Sequence, residues 1–170
     1  ESVRAKNLRE LFSDPLMVEE IFRVAEEASP DDGYLLQQRA IYEIKRPNGN
    51  LQRAHDLINE ARELLPYDKS ITHTFSELAV ARANAAKTKV ERDVHLEQAR
   101  QHASKLTGSN AVSGHGHGTL VRLTIGKLRE VLALPAANDE DVTAATKSVE
   151  QALSAGLQQF RSDEHLLALE

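Results

Sequence analysis

Cysteine and tryptophan are absent from these 170 residues, and proline (5), glycine (8) and methionine (1) are scarce. Without cysteine there is no disulfide frame, no thiol nucleophile and no thiolate ligand for a metal. Aromatic residues make up 4% of the chain against 41% hydrophobic residues in all. Its apolar content is therefore chiefly Ala and Leu, which suits close-packed helices better than sheets. No segment sustains the two-residue alternation of a half-buried strand, and no apolar run approaches the ~18 residues that a membrane span needs. The formal net charge is -5, with basic residues interspersed among acids, so neither nucleic acid nor membrane is an expected partner.

What is present is helical periodicity punctuated by a few strong breakers. Val3, Leu8, Leu11 and Phe12 have loosely helical spacing. Ser13 or Asp14 then caps a helix that carries Pro15 in its first turn and Val18, Ile21, Val24, Ala25 and Ala28 as its apolar stripe. Further helices are predicted over about 32–46, 50–65, 70–86, 88–106, 119–134 and 141–160, with Asp68 or Ser70 and Asp139 or Asp141 as caps. The breakers are "SPDDG" (29–33), "RPNGN" (46–50), Pro66 and Pro135. A new helix is expected to start near Asp163.

Within "GNLQRAHDLINEARELLPYDKSI", Gly49, Leu51, Ala54, Ile58, Ala61 and Pro66 follow one another at steps of 2, 3, 4, 3 and 5. This stretch resembles the second helix of a tetratricopeptide repeat, where small residues let two helices approach and proline ends the pair. Ala145, Val149 and Ala152 repeat the small–large–small spacing, and "FRSDEHLL" (160–167) parallels "PYDKSI" (66–71) as an exit turn. The resemblance implies antiparallel helix pairs stacked as an α-solenoid, with an irregular helical bundle as the alternative. The expected organisation is leading helices over 1–29, tetratricopeptide-like pairs over 30–107, a Gly/His loop over 108–118, and a divergent pair with the start of a further helix over 119–170.

The stretch "YLLQQRAIYEIKRPNGNLQRAHDLINEARELLPYDKSI" is also similar to the helical repeats that follow the nucleotidase cores of large bacterial signalling and defence NTPases. That resemblance, with the non-Met first residue, makes a segment of a larger cytoplasmic protein the expectation.

The one stretch that invites chemistry is "GHGHG" (114–118). It lacks the Lys-Ser/Thr of a phosphate loop and follows no strand. His115 and His117, with His95 or His102, are the weak candidates for a metal, but the spacings His-Glu-x-x-His and Glu-x-x-His occur nowhere. The favoured reading is a hinge-like loop, with His117 or Thr119 capping a helix that begins near Leu120. His55, His73 and His165 have no partner at catalytic spacing. Neither a catalytic residue nor a cofactor is therefore expected.

In a tetratricopeptide-like array the first helix of each pair lines a groove, which makes Tyr34, Gln37, Gln38, His73, Glu77 and Arg122 the candidate groove residues. The leading expectation is a non-catalytic module that binds a protein or peptide. Its alternatives are a sensor arm of a signalling or defence NTPase and a metal-responsive regulator working through the Gly/His loop.

Overall fold

The computed structural model describes residues 14–107, 114–135 and 137–160. The helices expected over 2–12 and from 163, and the loop residues 108–113, lie outside them. All regular structure among the described residues is helical: α1 (Pro15–Ala28), α2 (Gly33–Lys45), α3 (Leu51–Leu64), α4 (Lys69–Ala85), α5 (Lys89–Ser104), α6 (His115–Leu132) and α7 (Asp139–Gln159). None of these helices is long and apolar enough to cross a membrane. The chain divides into two compact units, Glu1–Ala85 and Ala86–Glu170. The helices expected over 70–86 and 88–106, observed as α4 and α5, therefore belong to separate units.

In the first unit, caps set the helix starts. Asp14 accepts from the Leu16 N–H with Pro15 next to it, Asp32 accepts from Tyr34 and Leu35, and Asn50 accepts from Gln52 and Arg53. Asp68 accepts from the Ser70 N–H at 2.7 Å. Each side chain satisfies donors that the first helical turn leaves without an intrahelical partner.

These elements recur at one interval. Pro15–Ala28 and Leu51–Leu64 begin and end 36 residues apart, as do the starts of α2 and α4 and the caps Asp32 and Asp68. Both α1 and α3 end in a residue of similar conformation: Ser29 has φ -148 and ψ 72, Leu65 has φ -130 and ψ 66, and each donates its N–H to the alanine carbonyl four residues back. Burial repeats with the same offset: Val18 with Ala54, Phe22 with Ile58, Leu35 with Ile71, Arg39 with Phe75, Ala40 with Ser76, Tyr42 with Leu78 and Glu43 with Ala79. Residues 14–49 and 50–85 thus share helix limits, cap positions and buried positions at this offset.

Its core has two parts. Leu36 and Ala40 of α2, Ala54, Ile58 and Ala61 of α3, and Ile71, Phe75 and Leu78 of α4 form the larger cluster. Val18 and Phe22 of α1 pack with Leu35 and Tyr42 of α2 in the smaller one. The alanines at 40, 54 and 61 are fully buried. Their small size lets α2, α3 and α4 lie close enough for the larger side chains to interlock.

The α2–α3 turn is held by a buried carboxylate. Glu43 has no solvent exposure. It accepts hydrogen bonds from Arg46 Nε (2.9 Å) and Nη2 (3.1 Å), from the Asn50 N–H (2.9 Å) and from Arg53 Nη1 (3.4 Å). Asn48 turns the chain with φ 56, and Gly49 packs so tightly that a Cβ there would stand 1.8 Å from the Glu43 carbonyl oxygen.

In the second unit α5 packs on α6 and α6 on α7. Residues 115–118 form the first turn of α6, not a loop, and the helix is entered from Gly114 without a side-chain cap. Gly116 explains why. A Cβ at this position would lie 2.7 Å from Leu106 Cβ and 3.0 Å from the Ala103 carbonyl oxygen, so the glycine lets α6 begin directly against the end of α5. α7 is capped by Asn138, whose Oδ1 accepts from the Asp141 N–H at 2.7 Å, while Asp139, Glu140 and Asp141 fill its first turn. α7 ends as α1 and α3 do, at Phe160 with φ -131 and ψ 64.

Candidate functional site

α2 and α4 start at the same end of the first unit and pack side by side. Tyr34, Gln38, Ile41 and Lys45 are spaced as one stripe of α2, and Ser70, His73 and Glu77 lie along α4. Cross-links between the helices fix their register. Tyr34 Oη donates to Asp68 Oδ2 at 2.5 Å, Gln37 Nε2 to Thr74 Oγ1 at 2.9 Å and Ser70 Oγ to Gln37 Oε1 at 3.2 Å. Farther along, Lys45 Nζ stands 3.7 Å from Glu77 Oε1, and His73 Nε2 stands 3.9 Å from the same oxygen.

Five of the six residues expected in a groove therefore meet on this pair of helices, in unequal roles. Tyr34 is 41% exposed, and Gln38, His73 and Glu77 are half-buried on the pair. Gln37 is different: at 4% exposure it fills the α2–α4 seam, its amide bonded to Thr74 and Ser70. It positions α4 rather than facing solvent. Arg122 lies on α6 in the second unit, exposed, with Nη2 donating to Thr119 Oγ1 at 3.3 Å.

Two ionisable groups at the start of the face are shifted. The hydrogen bond from Tyr34 to the Asp68 carboxylate favours the neutral phenol and raises its pKa. Burial pushes the Asp68 carboxyl up, but hydrogen bonds from Ser70 and Tyr34 and the backbone N–H groups of Ser70 and Ile71 prevail and lower it. At physiological pH a neutral phenol therefore donates to an ionised carboxylate.

The histidines of "GHGHG" do not share a site. Two positions apart on a helix, their side chains leave the axis about 200° apart. His115 is exposed; His117 is buried, with Nε2 3.1 Å from Gln159 Oε1 and its ring 6.1 Å from that of Phe160. His117 thus ties the start of α6 to the end of α7. No group of three or more His, Cys, Asp or Glu side chains able to hold a metal occurs among the described residues.

A charge cluster centred on the buried Arg39, with half-buried carboxylates around it, is not among the residues expected from the sequence. Arg39 donates through Nη1 to Glu26 and through Nη2 to Glu19 Oε2 (3.0 Å), and its guanidinium lies 5.9 Å from the centre of the Phe22 ring. Arg46 and Arg53 approach the same Glu19 at 3.8 Å and 3.7 Å. The 36-residue offset points to it, because Arg39 falls at the position equivalent to Phe75. Compared with known proteins, the chain matches no family model, no curated protein and no solved structure.

Proposed function

We propose that the first unit is a tetratricopeptide-like, non-catalytic binding module that takes a peptide segment of a partner protein across α2 and α4. The observation that carries this reading is the 36-residue recurrence of helix limits, caps and buried positions, with the equivalent helices α2 and α4 side by side. Repetition of that kind favours stacking into an α-solenoid, whose aligned equivalent helices offer one continuous face. On that face Tyr34 supplies a flat apolar contact held in place by Asp68, and Gln38, His73, Glu77 and Lys45 supply hydrogen-bonding and charged groups. Rigid aromatic and long polar side chains on packed helices suit recognition of an extended peptide. Arg122, in the second unit, is left out of the proposed surface.

The test is selection of binders to the full chain from a library of random peptides, followed by affinity measurement on variants. Gln38→Ala and Glu77→Ala are expected to weaken the selected peptides at least about tenfold, the loss of one good polar contact. Glu60→Ala, on the exposed side of α3, leaves them unchanged. Equal affinity for all three variants, or no enrichment of any peptide, overturns the reading. Gln37→Ala is unsuitable, because it disturbs the seam itself.

A further inference from the structure

The two elements of the first unit differ at one joint. At 36-residue spacing, positions 26 and 39, where α1 meets α2, correspond to positions 62 and 75, where α3 meets α4. In the second joint the Arg62 guanidinium lies 4.9 Å from the centre of the Phe75 ring, and Phe75 belongs to the larger apolar cluster. In the first joint the aromatic ring is replaced by Arg39, whose side chain is 9% exposed and ion-paired to Glu19 and Glu26 at 29% and 26%. Glu26 Oε1 and Arg39 Nε are buried there without a hydrogen-bond partner. Among the described residues, the apolar part of this joint is Val18, Phe22, Leu35 and Tyr42, with Ala25 at the edge.

We infer that α1 is a releasable strap: its seat on α2 opens, and α1 melts, while the α3–α4 joint stays closed. Three physical points lead there. Taking the charges of Arg39, Glu19 and Glu26 out of water offsets much of their attraction, so an ion-paired joint holds less well than an apolar one of the same area. Ion pairs that are partly open to solvent also weaken as salt screens them, whereas the apolar second joint does not. A helix of 14 residues is too short to persist alone, so release and unfolding of α1 are one event. Release uncovers Leu35, Tyr42 and the Arg39 guanidinium on α2 and leaves the α2–α4 seam, bonded through Gln37, in place.

The second joint is an internal control for the test, which is hydrogen exchange on the full chain followed by mass spectrometry. Amides of 15–28 are expected to exchange about tenfold faster than those of 51–64 at low salt, and faster still in 1 M NaCl, while the α3 rates do not respond. A Glu26→Arg, Arg39→Phe double variant places the residue types of the second joint in the first. It is expected to slow α1 exchange and to weaken its salt response, Glu19 keeping its approach to Arg46 and Arg53. Should that variant not fold, Glu19→Gln with Glu26→Gln raises α1 exchange about tenfold at low salt and leaves α3 alone. Exchange of α1 and α3 at one rate with one salt response, or no effect of the glutamine pair on α1, overturns the inference.

Discussion

Replacing Glu43 with alanine removes the buried carboxylate that holds the α2–α3 turn. The carboxylate is fully buried and accepts from Arg46, Asn50 and Arg53. Its removal strips the Asn50 N–H of its acceptor, which costs about 1–3 kcal/mol. The emptied space adds about 1 kcal/mol. The side chains of Arg46 and Arg53 are 27% and 40% exposed and regain water, so their loss adds little. The expected total is about 3 kcal/mol, and Glu43→Gln, which keeps one acceptor oxygen, costs about half of that. Urea unfolding followed by tyrosine fluorescence measures it cleanly, because the chain has three tyrosines and no tryptophan, and Tyr34, Tyr42 and Tyr67 all fall in the first unit. The midpoint for Glu43→Ala should fall by roughly 2 M at an unchanged slope. A loss below about 1 kcal/mol would refute the reasoning, for it would mean that desolvation of the carboxylate cancels its bonds and that the turn holds without it.

Other substitutions test other contacts. Gly49→Ala sets a Cβ against the backbone carbonyl of Glu43, which cannot swing aside, so the tyrosine-detected transition should drop by about 3 kcal/mol or more. Gly116→Ala is expected to push α6 off α5 and to cost about 1–3 kcal/mol, whereas Gly126→Ala, with open space around the new Cβ, should stabilise slightly; thermal unfolding by circular dichroism compares the two. Tyr34 has a folded-state pKa above its unfolded value. Its hydrogen bond to Asp68 therefore contributes stability below the ordinary phenol pKa of about 10 and loses it as pH rises through the raised value. Tyr34→Phe should remove one late-titrating phenolate from the absorbance titration and flatten the alkaline fall in melting temperature, and a titration identical to wild type would contradict the assignment.

Much of the architecture was legible in the residues. Asp14 with Pro15 marked the start of α1, the step of small residues through Ala54 and Ala61 marked the face of α3 that packs, and Pro66 marked its end. Where the reading went astray, tertiary contact had overridden local preference. The stretch 114–118 reads as a hinge-like loop, yet Gly116 sits inside a helix because the end of α5 leaves no room for a Cβ. The last helix is capped by Asn138 rather than by Asp139 or Asp141, since carboxylates are also favoured within the first turn by the helix dipole. Gln37 has the composition of a surface residue and is buried all the same, its amide satisfied by Thr74 and Ser70. The 36-residue period escaped notice because equivalent places hold dissimilar residues: Arg39 stands for Phe75 and Glu43 for Ala79. Pro30 and Pro66, each two residues before the capping aspartate of the next helix, carry the period in plain sight.

The proposed peptide site is the paired faces of α2 and α4. The most direct measurement is a map of backbone amide shifts in the full chain as a library-selected peptide is titrated in. The largest shifts are expected on Tyr34, Gln38, Ile41 and Lys45 of α2 and on Ser70, His73 and Glu77 of α4, with α3 little changed. Shifts concentrated on α3, or confined to the second unit, would contradict it.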